Sequence, residues 1–146
     1  MLLTLTFCVG VAGVSVNRDD IEPEVREYAR GVVNSLSELS EEQFNAYWGP
    51  EPPGSPDQRE FIIEWTGQLG HLEQINAVEL KGYTSMSTLR TGTRHTFTYR
   101  IDATYSNGEA TVVMPVLATD ETMVALNIFF FSEVLGNMAE LEALEN

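Results

Sequence analysis

Two histidines, one cysteine and five tyrosines are the side chains whose types invite a search for chemistry. Their spacing narrows the search. His71 and His95 lie far apart, and neither falls in an H-x-x-x-H or H-E-x-x-H frame, so no helix face offers two imidazoles to a metal. Cys8 is alone, which excludes an intrachain disulfide and a cysteine-based metal site. No Ser-His-Asp or Cys-His arrangement and no phosphate-cradling loop stands out. No cofactor is therefore expected. What remains is acid–base work or binding. The acids to weigh are Glu64 and Asp102. The aromatic and polar side chains to weigh for binding are Tyr28, Trp65, Tyr83, Tyr99, Tyr105 and Asn127. Whether any of these make a site depends on the elements that carry them.

The chain has 146 residues, 43% of them hydrophobic, which is one domain's worth with enough apolar material for a core. Its formal net charge is −14. Nucleic acid is excluded as a partner on that balance, because phosphate binding needs clustered Lys and Arg. Plain solubility, a basic protein partner or a high-salt habitat would each suit the acidity.

The opening run, MLLTLTFCVGVAGVSV, has no charged side chain before Arg18. It is short for a membrane helix, which takes roughly 20 apolar residues. Read as the apolar part of an export signal over 1–18, it has small residues for cleavage at Gly13-Val14-Ser15. The mature protein would then be extracytoplasmic or secreted, with no membrane span. A buried strand is the other reading, since no Lys or Arg precedes the run and several residues are β-branched. Phe7 is too bulky for the usual lipobox, so lipid anchoring at Cys8 is not expected.

Helical periodicity follows. Asp19-Asp20-Ile21-Glu22-Pro23 reads as a helix start, and Val25, Tyr28, Ala29, Val32, Val33 and Leu36 recur as one apolar stripe. In LSEEQF, Ser40 and Gln43 form a capping box with Leu39 and Phe44 as its hydrophobic staple. A short second helix carrying Phe44, Tyr47 and Trp48 starts at Glu41 and must stop at the proline-rich GPEPPGSP. Ser55-Pro56-Asp57-Gln58 starts a third helix with the buried stripe Phe61, Ile62, Trp65, Leu69 and Leu72, ending near Gly70.

From Ile75 the period becomes two, and strands are expected at about 75–89, 94–106, 109–118 and 122–132. Asn107-Gly108 is a hairpin signal. A two-residue turn there sets Tyr105 against Ala110, Ala103 against Val112, Ile101 against Met114 and Tyr99 against Val116. This apolar face is expected under the helices. Pro115 then falls opposite Arg100 at a hydrogen-bonded site, so a bulge or bend is expected there. In the last strand Met123, Ala125, Asn127, Phe129 and Phe131 point inward, and Val124, Leu126, Ile128 and Phe130 outward. With Val113 and Leu117 these outward residues make an apolar patch. A homodimer packed sheet to sheet is expected to cover it; the alternative is the N-terminal run or C-terminal tail folded across.

The expected fold class is α+β: three N-terminal helices packed on a curved four-stranded antiparallel sheet, a cone-like half-barrel over 19–135, with 136–146 an acidic tail. The stretches SEEQFNAYWG, REFIIEWTGQLGHLEQ, GYTSM and TFTYRIDATYSNGEATVVMPV resemble the nuclear transport factor 2-like, or cystatin-like, superfamily. Within it the likeness is to small exported bacterial and archaeal domains. The resemblance covers nearly the whole chain after Asp19 and rests on pattern rather than on one motif. It implies a cone with aromatic walls and a binding or accessory role, since the fold hosts isomerases, cyclases, dehydratases and non-enzymatic modules alike.

The isomerase-like members use a carboxylate inside the cone. The inward strand positions here offer none. Asp102 faces outward beside Arg100 and threonines, Glu64 is expected at a rim, and His95 is expected in solvent. The function expected is a non-enzymatic binding or interaction module. Tyr28, Trp65, Tyr83, Tyr99, Tyr105 and Asn127 would line a site for a small apolar ligand. Aromatics at these spacings more often make an ordinary core, and the tyrosine hydroxyls can reach the cone mouth or a backbone partner without any ligand. The alternative is an isomerase or lyase of the ketosteroid isomerase or polyketide cyclase kind.

Overall fold

The computed structural model describes residues 18–36, 56–90 and 92–145. The expected leader and the short helix from Glu41, with Phe44, Tyr47 and Trp48, lie outside the described residues.

The architecture is α+β with an open antiparallel sheet. Helices α1 (Arg18–Leu36) and α2 (Pro56–Leu69) precede strands β1 (Leu72–Thr88), β2 (Gly92–Tyr105), β3 (Gly108–Ala118), β4 (Met123–Ala125) and β5 (Phe129–Phe131). Helix α3 (Met138–Glu145) follows them. The sheet order is β1-β2-β3-β4, and β5 also pairs with β3.

The expected stripe of α1 is its buried face: Val25, Ala29, Val32, Val33 and Leu36 are sealed from solvent. They pack on a core from β2 and β3 that includes Phe97, Tyr99, Ile101, Val112, Met114 and Val116. Alternation along β2 is strict, and burial switches at every residue from His95 to Tyr105. One inward side chain per two residues is what an apolar face against helices requires. On α2, Ile62 and Leu69 are buried and Trp65 packs against the core, but Phe61 is exposed, stacked on Trp65 at 5.8 Å.

The hairpin register differs from expectation by two residues. The turn is Ser106-Asn107, so Tyr105 pairs with Gly108, Ala103 with Ala110, Ile101 with Val112 and Tyr99 with Met114. The physical reason is the end of α2. Asn107 donates its backbone N–H to Leu69 O (3.0 Å) and its side-chain Nδ2 to Gln68 O (2.8 Å). Ser106 N donates to His71 O, and Ser106 Oγ accepts from His71 N. Helix ends leave carbonyls without intrahelical donors, and this turn supplies them. An even slip keeps every side chain on its face, so the inward set survives. Gly70 ends α2 with φ 86°, and a Cβ there would lie 2.1 Å from Ser106 Oγ.

Pro115 sits opposite Thr98, with the β2–β3 ladder unbroken; the register shifts are instead on β1, at Leu72/Gln74, Ile75/Ala77 and Leu80/Gly82. Counting from the turn, Thr98–Pro115 is a non-hydrogen-bonded pair, so the missing N–H costs β2 nothing. The loss falls on the other neighbour. Leu126 N donates to Pro115 O at 2.8 Å, but Pro115 cannot return the bond. The last strand breaks there, into β4 and β5.

That break overturns the expected faces of its second half. Ala125 lies opposite Val116 and Phe130 opposite Val112, both inward pairs. Ala125 and Phe130 are five positions apart, so the faces swap across 126–128. Ile128 and Phe130 are buried in the core, not on the outer patch, and Phe129 points outward. Phe131 is outward-facing yet buried, and Leu141 of the short helix α3 is buried too. The ion pair of Arg100 with Glu145 draws the end of α3 to the outer face. Asn137 clasps the approach, donating Nδ2 to Phe130 O (2.6 Å) and accepting from Ser132 N (2.8 Å).

Candidate functional site

The inward carboxylate missing from the strands comes from a helix. Glu22 sits in the second turn of α1, one turn before Arg26, and the two form a paired contact: Arg26 Nε to Oε2 at 3.0 Å and Nη2 to Oε1 at 3.4 Å. Tyr99, fully buried on β2, donates its hydroxyl to Glu22 Oε2 at 2.7 Å. Arg26 also donates to Val78 O of β1 and lies 5.6 Å from the Tyr99 ring centroid. Burial, and then the bond to the Glu22 carboxylate, pushes the Tyr99 hydroxyl well above its usual range. It is thus a fixed donor. Both oxygens of Glu22 are occupied, which leaves it poorly placed to take a proton from a substrate. The triad first of all ties α1 to the sheet.

A second cluster lies at the first turn of α1. His95 faces inward, only 6% exposed, because it shares the parity of Phe97 and Tyr99. This corrects the expectation of a solvent-exposed ring. Its Nδ1 is 2.7 Å from the Tyr83 hydroxyl, and the rings of Tyr83, His95 and Phe97 lie within 4.9–6.3 Å of one another. Arg18 lies over the Tyr83 ring at 5.4 Å. Beside His95 opens a groove of about 430 Å³, between the start of α1 and the β3–β4 turn, lined by Ile21, Glu24, Ala118, Met123 and the turn residues 119–122. A larger groove, of about 770 Å³, lies on the outer face, where Arg100, Asp102, Thr111, Ser132 and Met138 meet. There Asp102 Oδ1 accepts from Arg100 Nε (3.3 Å) and Thr111 Oγ1 (3.0 Å), as expected for an outward cross-strand partner.

The six expected lining residues do not form one site. Tyr83 and Tyr99 flank Phe97. Tyr28 reaches the sheet edge, its hydroxyl accepting from Ala125 N at 3.2 Å. Trp65 meets Phe130 at 6.0 Å. Tyr105 is buried at the hairpin end; among the described residues its hydroxyl is the one buried side-chain polar atom without a partner, and burial raises its pKa. Asn127 stands in the break between β4 and β5, its Oδ1 accepting from Ile128 N. Sequence reasoning missed Glu22 because strand parity says nothing of helix residues. It missed His95 although the parity that places Phe97 also places it.

Among the described residues no cluster of His, Cys, Asp and Glu is arranged to hold a metal, and no helix is long and apolar enough to cross a membrane. Comparison with protein-family models, with curated proteins and with solved structures finds no match to this chain.

Proposed function

We propose that this chain is a non-enzymatic binding module of an exported protein, built on a nuclear transport factor 2-like plan. The observation that carries the reading is the contrast between the two inward clusters. The acid–tyrosine pair is consumed by its own hydrogen bonds, whereas the His95 groove is open and lined by both apolar and polar side chains. Ligand pockets combine apolar walls with a few placed polar groups, and about 430 Å³ is within their usual range. The finer architecture, three helices over a cone-like half-barrel, is supported by the capped sequence before Glu41 and by the three register shifts that bend β1. Export is supported by the apolar leader.

Self-association through the outer face belongs to the same proposal. Its residues are now Val113, Leu117, Val124 and Leu126 with Phe129, which is 38% exposed. Native mass spectrometry of the purified chain, followed by thermal shift against a metabolite library, tests both parts. A retained small molecule or a ligand-dependent shift is the expected result; an empty chain with no shift from any compound sinks the binding reading.

The second reading, an isomerase or lyase, is favoured by one observation, the 2.7 Å contact of Tyr99 with Glu22. A carboxylate beside a protonated tyrosine hydroxyl is the equipment for moving a proton next to a carbonyl. Solvent deuterium exchange into cyclic ketones, abolished by Glu22→Gln, would establish it; absence of exchange removes it.

A further inference from the structure

The free edge of the sheet is protected along only part of its length. Strand β1 ends the sheet on its side, and no described segment pairs with its other edge. Its first half is interrupted and capped. Register shifts fall at Leu72/Gln74, Ile75/Ala77 and Leu80/Gly82, and Arg26 takes up Val78 O. From Gly82 to Thr88 the pairing with β2 is unbroken. That stretch, GYTSMST, has no charge and no proline. Because Thr98–Pro115 is a non-hydrogen-bonded pair, Thr98 and every second residue of β2 turn their backbone groups toward β1. Gly82, Thr84, Met86 and Thr88 stand opposite them. Tyr83, Ser85 and Ser87 therefore aim their N–H and C=O groups outward, as an open template for a further strand.

Charge marks the same place. Leu80 to Ile101 contains no Asp or Glu, yet it holds Lys81, Arg90, Arg94 and Arg100. Lys81 pairs with Glu79, and Arg100 with Asp102 and Glu145. Arg90 and Arg94 have no ion-pair partner among the described residues, whereas Arg18, Arg26 and Arg30 each have one. Arg94 stands opposite Met86, and Arg90 lies in the turn that follows β1. Met86 is 64% exposed and Leu89 wholly so. This end of the hairpin projects past β3, whose last residue, Ala118, pairs with His95. A chain of net charge −14 thus presents a projecting edge that is locally basic and apolar.

From the open edge and its charge we infer that residues 82–88 dock an extended, acidic segment of a partner protein, which adds to β1 as a further strand. The backbone groups of Tyr83, Ser85 and Ser87 supply its hydrogen bonds. Side chains of the added strand beside Met86 lie two strand spacings, about 10 Å, from Arg94, and the strand's end reaches the turn that carries Arg90. Carboxylates there are drawn to both arginines. A β-branched residue among them packs on Met86. A second copy joined edge to edge would instead bring two basic hairpins together. The surface is separate from the His95 groove, none of whose lining residues is on β1, and it stands whether or not that groove takes a small molecule.

The test is amide hydrogen exchange and ¹⁵N–¹H NMR titration of the intact chain with three peptides: acetyl-EVTVEVTVE-amide, its lysine counterpart acetyl-KVTVKVTVK-amide, and the acidic but proline-interrupted acetyl-EVTPEPTVE-amide. The first is expected to slow exchange at Tyr83, Ser85 and Ser87 and to bind at least about fivefold more tightly than either of the others. Arg90→Gln with Arg94→Gln is expected to erase its advantage over the lysine peptide. Ser85→Pro removes one outward N–H and spares the ladder to β2, with an expected loss of at least about tenfold. Where that variant does not fold, Ser87→Pro takes its place. Equal binding of the lysine peptide overturns the acidic partner. Equal binding of the proline-interrupted peptide, or unchanged affinity in the proline variant, overturns strand addition. Slow exchange at the three amides before any peptide is added means that the chain itself or a second copy holds the edge, and overturns the proposal. Absence of binding by all three peptides does the same.

Discussion

One hydroxyl deletion, made at two positions, should change stability in opposite directions. Tyr99 and Tyr105 are both buried on β2, six residues apart and on the same face. The Tyr99 hydroxyl has a charged acceptor at 2.7 Å; the Tyr105 hydroxyl has no partner among the described residues. A hydrogen bond to a charged group contributes about 1.5–3 kcal/mol net, whereas an unsatisfied buried group costs about 1–3 kcal/mol. Glu22 keeps Arg26 when Tyr99 is removed, so its carboxylate is not stranded and the loss falls at the low end. Tyr99→Phe should therefore destabilise by about 1.5–2 kcal/mol, and Tyr105→Phe should stabilise by about 1 kcal/mol. At about 3–5 °C per kcal/mol for a chain this size, the two melting temperatures should differ by roughly 10 °C, straddling the parent. Urea unfolding followed by far-UV circular dichroism gives the free energies at constant slope. The same sign for both variants, or a loss at Tyr105→Phe, would refute the reasoning, because it would mean that a partner for Tyr105 or a packing cost outweighs desolvation.

Both tyrosines have raised pKa values, so the unfolded chain ionises them first: stability is unaffected below pH 10.0 and falls as pH rises above it. Absorbance at 295 nm should show them ionising only with unfolding; early, reversible ionisation of all five tyrosines would contradict their burial. Gly70→Ala should cost about 1–2 kcal/mol, since φ is 86° and the new Cβ would meet Ser106 Oγ, whereas Gly67→Ala, with open space and a helical backbone, should stabilise by up to about 1 kcal/mol. If the outer face mediates self-association, Phe129→Glu should shift sedimentation velocity to the monomer without lowering the melting temperature, while Phe130→Glu should unfold the chain; equal effects of the two would mean that the face swap across 126–128 is wrong.

The legible part of the fold was whatever depends on parity or on local end signals. Val25 to Leu36 announced a helix face, Pro56 a helix start and Gly70 a helix end, and all three hold. The faces of β2 and β3 were right even though their register was not, because a slip of two leaves parity untouched. The slip itself was not readable from the hairpin. Asn107-Gly108 is a good turn locally, but Gln68 and Leu69 need donors for their carbonyls, and that need is tertiary. The last strand failed for the complementary reason. Pro115 announced a lost donor, yet which neighbour would bear the loss depended on the register. Once Thr98 rather than Arg100 stands opposite Pro115, the loss passes to Leu126, and Ile128 and Phe130 turn inward.

The site follows the same division. Strand alternation can say that no carboxylate projects inward from β2 to β5, but not that no carboxylate reaches the sheet's inner face. Glu22 reaches it from α1, and Arg26 one turn later neutralises the charge that makes such a position expensive. That compensation is also what weighs against catalysis. A general base must give up its resting partners at the moment it takes a proton, and Glu22 would have to release a guanidinium and a hydroxyl in a place where each is worth more than in water. His95 differs: one ring nitrogen is held by Tyr83, and the residue lines the groove beside the β3–β4 turn. The more conspicuous acid–tyrosine pair is thus the structural one. The histidine that shares parity with the core instead borders an open groove.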